Sequence, residues 1–385
     1  MDPIVLSDLK TLAEVEAGLR SIHESPGAAL QVKGDAVNKR NGALYDAARL
    51  QLFVTWARAA KDKTIHFHAS NNIDTVVEKL CDYAPGIAAL RMAAGVQVGD
   101  QFIDRRDALR QAREKMQSTD DEDFGSIIKG RCIDMTCVSG MRLQYLAPLF
   151  TARSPEASKD AGAMLALFKK LFFRVNQQDQ ELVPESFLKA VGIFTSELFS
   201  NTQEHATSDY RHIDYIAHVE GFIASWVVME ERLFKSDFDG HHKLRNFWSR
   251  ESLVSREAFS EPGMSSMRCL QLSFFDSGPG FASRATGKRT RELSRDEERN
   301  VLIRCLQKNF TTKQQTGAGQ GIPGVLAALK EIGGLIRIRS GRQAIFNCFG
   351  MGESNHLFEF DDWNSDELVE VAGAVITIII PLRVN

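Results

Sequence analysis

Little in this chain would staple it, anchor it or charge it. Its six cysteines (Cys81, Cys132, Cys137, Cys269, Cys305 and Cys348) form no CxxC pair and show no His/Cys ligand spacing. That pattern argues against a zinc module or a disulfide framework and for buried free thiols in a reducing compartment. Neither charge dominates: 47 Lys plus Arg against 50 Asp plus Glu leave a net charge of −3. A balance so near neutrality gives no global reason to expect nucleic-acid binding. The N-terminus, MDPIVLSDLK, lacks a basic stretch ahead of an apolar core, so no secretory signal is expected. The longest near-continuous apolar run, Val371 to Leu382, is too short to span a bilayer and rich in β-branched residues, and it reads as a buried strand. A cytoplasmic protein without membrane contact is the expectation. No internal repeat and no low-complexity tract are present.

What remains is an ordinary globular composition, 43% hydrophobic and 25% charged, in 385 residues, enough for two domains. Residues 1–150 read as a smaller α/β domain. Ala43 to Ala59 has apolar residues at helical spacing, Thr64 to Ala69 alternates like a strand, and Ile73 to Leu90 is helical again. Gln111 to Asp123 is polar and acidic and reads as a linker or exposed turn. Ile133 to Val138 is a strand candidate and Ala163 to Arg174 an amphipathic helix. Residues 160–385 read as one α+β unit, with a helix over Pro184–Ala206 and strands near Tyr210–Glu220, Phe222–Glu230 and Leu270–Asp276. Helices over Arg295–Lys308 and Ile322–Ile332 follow, then strands Leu335–Ser340, Ala344–Phe349, His356–Phe360 and Val371–Pro381. Helices gathered on one face of a mostly antiparallel sheet make a two-layer α/β sandwich.

Three polar stretches carry the chemistry. In ELFSNTQEHA (197–206), Val191, Phe194 and Leu198 form the apolar stripe, and Glu197, Asn201, Glu204 and Ser208 recur on the adjoining face. A polar stripe beside a buried one suits the floor of a pocket. An asparagine there can give a neutral oxygen to Mg²⁺, and a carboxylate one turn earlier can polarise a water. A solvated helix face is the competing reading. In DSGPG (276–280), an apolar strand runs into a turn, where Asp276 can accept a hydrogen bond from the exocyclic amine of adenine and Gly278 and Gly280 permit positive φ or close approach. In GAGQG (317–321), Gly317, Gly319 and Gly321 precede a helix with Pro323 in its first turn, a buried stripe of Val325, Leu326, Leu329 and Ile332, and Gly333-Gly334 at its end. The free N–H groups and dipole of such a helix start favour phosphate. GQGIPG fits GxGxxG, but the preceding TTKQQTGA is polar and no strand, and no Gly-Lys-Ser/Thr follows; Rossmann and Walker readings both fail.

In order and spacing these stretches resemble the ATP-binding domain of the GHKL superfamily, which includes DNA gyrase, heat-shock chaperone ATPases, histidine kinases, MutL and the anti-sigma-factor kinases. The NxxEHA ending most resembles the anti-sigma-factor kinases. The resemblance implies a Bergerat-type fold over about 160–385, with ATP and Mg²⁺ as ligands. It implies Glu197 as general base, Asn201 as the metal-binding residue and Asp276 as the main adenine contact. The Thr-Thr-Lys before the glycines is similar to the family's lid motif, which makes Thr312 and Lys313 candidate phosphate-side residues, and 281–316 matches the family's ATP lid in position. No His-Glu-Leu-Arg-like phosphoacceptor box lies upstream, against a conventional sensor kinase. The expectation is an ATPase that drives a conformational change or regulates a protein partner or homodimer. A serine/threonine kinase of the anti-sigma-factor type and an ATP-sensing module without turnover stay open, as does the role of 1–150: sensing, dimerisation or partner docking.

Overall fold

In the computed structural model, residues 2–383 are described except 7, 34, 35, 38, 69, 255–265, 308–320, 352–355 and 365. Two sheets form. The first runs β1 (Ile4–Val5), β2 (Leu30–Gln31), β3 (Thr64–Phe67), β4 (Gly95–Val98), β5 (Gln101–Asp104), with its first three pairings parallel and the last antiparallel. The second takes β6 (Cys132–Val138), β7 (Val219–Glu230), β8 (Ser266–Asp276), β9 (Gly334–Gly341), β10 (Gln343–Phe349), β11 (Asp361–Asp362) and β12 (Val371–Pro381) in the order β11-β10-β9-β12-β8-β7-β6. Every pairing in it is antiparallel. The chain is thus a mixed α/β protein with both parallel and antiparallel pairing. All six cysteines are buried and free, and among the described residues no helix is long and apolar enough to cross a membrane.

One face of the large sheet is aromatic. Phe194 meets Phe274 at a centroid distance of 4.9 Å, Phe168 meets Phe222 at 5.2 Å and Phe172 meets Trp226 at 4.8 Å. These contacts seat helices Ala161–Val175 and Glu185–His205 on the sheet, and Gly321–Ile332 packs beside the latter. Large rings bury much apolar area per side chain, and here they pack with buried aliphatic residues such as Leu272, Ile376 and Ile378.

The opposite face is polar and still covered. Ala43–Ala59, buried almost all round, lies across β12, β8 and β7. Its N-cap, Gly42, offers no side chain, so the first free N–H groups go to the sheet instead: Ala43 donates to Ser225 Oγ at 2.8 Å and Leu44 to Gln271 Oε1 at 3.1 Å. From helix Leu12–Glu24, the Glu16 carboxylate accepts from Arg339 Nε at 2.9 Å and Nη2 at 3.1 Å. The large sheet therefore lies between two helical layers, where the sequence suggests one, and the second layer comes from residues before 60. Residues before 150 also supply its edge strand, β6.

Other differences have local causes. Tyr210–Glu220 and Phe222–Glu230 are not two strands; one strand, β7, begins at Val219 and runs through Gly221. A Cβ on Gly221 would lie 2.0 Å from the Met135 carbonyl oxygen, so this glycine marks the close approach of β6 and not a turn. The polar stretch 111–123 contains a helix, Arg113–Asp120, held by buried Met116 and by Asp120 accepting from Ala147 N at 2.7 Å. Ile73–Leu90 divides into Ile73–Cys81 and Ala84–Met92, with Pro85 opening the second helix. His356–Phe360 is not a strand among its described residues; the short β11 follows it.

Candidate functional site

Helix Glu185–His205 starts at Pro184 and buries Phe187, Val191, Phe194 and Phe199. Leu198, Glu197 and Asn201 are half-buried along its edge. At the far side β8 ends at Asp276 and the chain turns through Ser277, Gly278, Pro279 and Gly280 into helix Phe281–Thr286. Between the two lies a cleft lined by Asn201, Asp276 and Gly280 together with Leu198, Thr202 and Arg284. Ala374 of β12 also lines it. The Asn201 amide makes no side-chain hydrogen bond with a described residue.

The turn is fixed from three sides. Gly278 N–H donates to Asp276 Oδ1 at 2.8 Å, and the Ala374 backbone also donates to this carboxyl. Gly373 N–H donates to the Gly278 carbonyl at 2.7 Å. Gly373 sits at the bulge in β12 with φ +71°, and a Cβ there would come within 2.1 Å of the Asp276 carbonyl oxygen. Gly278 lies against Ala206 at the end of the long helix, where a Cβ would be 2.7 Å from Ala206 Cα. Helix Ala43–Ala59 completes the brace. Arg58 Nη2 donates to the Ser277 carbonyl at 2.9 Å, Thr55 Oγ1 accepts from Ala372 N at 3.0 Å, and Gln51 Nε2 reaches the Arg339 carbonyl at 3.1 Å. Arg58 also lies over the Tyr215 ring, 3.5 Å from its centroid.

Burial pushes the Asp276 carboxyl up to about 6, against the pull of its two backbone donors and the Arg58 charge. In register with it on β7 is Glu220, wholly buried and pushed up to about 8 by desolvation, with the Asp276 charge adding to the rise. Gln203 Nε2 donates to Glu220 Oε1 at 2.8 Å. His218, 3.9 Å from Glu220, is held down to about 4 by burial and by the charges of Arg91 and Arg58. At pH 7 Glu220 is thus protonated and His218 neutral, which leaves Asp276 as the negative group of this trio. Glu220→Gln should raise stability at pH 7 by on the order of 3 kcal/mol, because the parent takes up a proton at Glu220 on folding. The folded value lies above the usual 4.5. The burden is therefore absent near pH 4 and grows as the pH rises, and urea denaturation of both proteins at pH 4.5 and 7 should show the gap opening.

The expected site residues do not all meet in one place. Asn201, Asp276 and Gly280 share the cleft, with Gly278 behind it. The Glu197 carboxylate instead accepts the Gly321 N–H at 2.9 Å, at the start of helix Gly321–Ile332. A Cβ on Gly321 would lie 2.7 Å from Glu197 Oε2. Thr312, Lys313, Gly317 and Gly319 lie outside the described residues. Of the region 281–316, the described part holds helices Phe281–Thr286 and Arg295–Gln307. Two of its basic residues are engaged: Arg289 Nε donates to Tyr210 Oη at 2.6 Å and Arg295 Nη2 to the Leu368 carbonyl at 3.0 Å. Sequence reasoning missed Arg58, Gln51, Thr55 and Glu220, which lie outside the three polar stretches, and Gln203, which lies within the first of them but off the stripe of Glu197, Asn201 and Glu204. Among the described residues, no group of three or more His, Cys, Asp or Glu side chains is placed to hold a metal ion. No protein-family model, curated protein or solved structure matches this chain.

Proposed function

We propose that the Asp276 cleft binds ATP with Mg²⁺ and that the protein hydrolyses it, in a fold of the Bergerat type. The observation that carries this reading is the convergence of two distant motifs: Asn201 from the helix and Asp276 from the glycine turn line the same cleft. Asp276 is an acceptor at the end of a strand, fixed by two backbone donors, which suits the exocyclic amine of adenine. Ala374 and Leu198 give the apolar walls that a planar base needs.

Asn201 fits Mg²⁺ as a single protein oxygen with unspent bonding capacity, the ion's other positions falling to phosphates and water. When bound, the ion would neutralise phosphate charge. Gly321 opens a twelve-residue helix toward Glu197, one turn before Asn201 on its own helix. That proximity supports Glu197 as the base that takes a proton from the attacking water. The contacts of Gln51, Thr55 and Arg58 with the strand ends around the cleft support a coupling between nucleotide binding and residues 43–59.

Incubation with ATP labelled at the γ-phosphate tests the reading. The expected product is free labelled phosphate, dependent on Mg²⁺ and at least about tenfold slower in Asn201→Ala. Label on a second protein in extract would replace hydrolysis with kinase activity toward a protein partner. Tight binding with no product over hours would leave an ATP-sensing module.

A further inference from the structure

A second cleft, of about 680 Å³, opens between the helices Arg105–Arg110 and Arg113–Asp120 and the segment 139–143 that follows β6. It shares no lining residue with the Asp276 cleft. Six guanidinium groups line it, those of Arg91, Arg105, Arg106, Arg110, Arg113 and Arg142, and no lining residue is acidic. Like charges gathered in one concavity repel one another, and a concave wall focuses their field.

The arginines differ in how they are held. Arg91 is buried, with Nε donating to Ser139 Oγ at 3.0 Å and Nη2 to the Ile216 carbonyl at 2.6 Å. Its environment, burial first and the Arg105 charge second, holds it down to about 10, so it remains a cation at neutral pH. Arg110 pairs with Asp107 at 2.8 Å at the exposed rim. The guanidinium groups of Arg105, Arg106, Arg113 and Arg142 make no hydrogen bond or ion pair with a described residue. Leu109, Met116, Met141 and Leu143 add apolar surface to the same cleft.

We propose that this cleft is a second ligand site, which takes a small soluble anion carrying two or more phosphate groups. The planar guanidinium fork matches phosphate oxygens bidentately, and four such forks stand without a partner among the described residues. The volume falls within the range of small-molecule sites, and the apolar side chains suit an uncharged organic portion of the ligand. Nucleic acid fits less well: the six arginines gather in one concavity, and the net charge of the chain is −3. The inference is independent of the nucleotide reading of the Asp276 cleft.

Calorimetric titration of the full chain with tripolyphosphate in moderate salt tests it. Saturable one-to-one binding is expected, at least about tenfold tighter than inorganic phosphate and weakened at least about tenfold in the Arg106→Gln, Arg142→Gln double variant. Both side chains are exposed, so the double variant should keep the parent Tm without ligand and lose the ligand-induced rise in Tm. Asp276→Asn should leave tripolyphosphate binding unchanged. Absence of saturation in the millimolar range would overturn the proposal. So would a loss confined to Asp276→Asn, a single-stranded oligonucleotide that binds more tightly with length and displaces tripolyphosphate, or binding seen only with vesicles bearing a phosphorylated lipid headgroup.

Discussion

An Asp276→Asn variant is expected to bind ATP about 10- to 100-fold more weakly than the parent, yet to unfold less readily at pH 7. The two effects share one cause. The carboxyl sits at the end of β8 with backbone N–H groups of Gly278 and Ala374 directed at it. In the variant those donors hold the amide oxygen and turn the NH₂ toward the cleft. A donor would then face the exocyclic amine of adenine, itself a donor. Stability moves the other way because burial raises the folded carboxyl from 3.8 to about 6. A carboxyl raised on folding contributes stability that is present below about pH 4 and lost as the pH climbs through 6, a cost of about 3 kcal/mol by pH 7. The asparagine carries no such cost. Urea denaturation at pH 4 and 7.5 should therefore give similar stabilities at the lower pH and a separation at the higher. Equal ATP affinity in the two proteins would remove Asp276 from adenine recognition. Equal stability at both pH values would remove the burial argument.

What could be read in the sequence was what is encoded within a few residues. Helix Gly321–Ile332 carries its own signals: Pro323 in the first turn, a buried stripe of Val325, Leu326 and Leu329, and Gly333 at φ +75° to end it. Asn201 and Asp276 stood out because polar residues beside apolar runs need a reason. Gly221 misled because a glycine between two apolar stretches looks like a turn, whereas its role depends on Met135, far away in sequence. Arg58, Thr55 and Gln51 were hidden for a related reason. The periodicity of 43–59 says that the helix is buried, but not that it is buried against the strand ends that hold Asp276. Glu220 is the extreme case: its protonation follows from cross-strand register with Asp276 and total burial, and neither leaves a local mark.

Replacing Glu197 separates catalysis from architecture, because its carboxylate has two candidate roles that different substitutions divide. In the structure it accepts the Gly321 N–H at 2.9 Å, one of the free donors at the start of helix Gly321–Ile332, where a negative charge also complements the helix dipole. As a base it would take a proton from water. Glutamine keeps an oxygen for Gly321 but has no useful basicity, so Glu197→Gln should fold nearly as well as the parent and release phosphate at least about 100-fold more slowly. Alanine removes both functions, and Glu197→Ala should lose the same turnover and in addition about 1 kcal/mol of stability. Binding of ATP, which depends on Asp276 and Asn201 in this reading, should survive in the glutamine variant. Phosphate release at the parent rate in Glu197→Gln, together with a destabilised Glu197→Ala, would assign the residue to capping the helix alone. The base would then have to be sought among other residues near the cleft. Loss of turnover in Glu197→Gln at unchanged Tm and unchanged ATP affinity is the combination that a purely structural glutamate cannot produce.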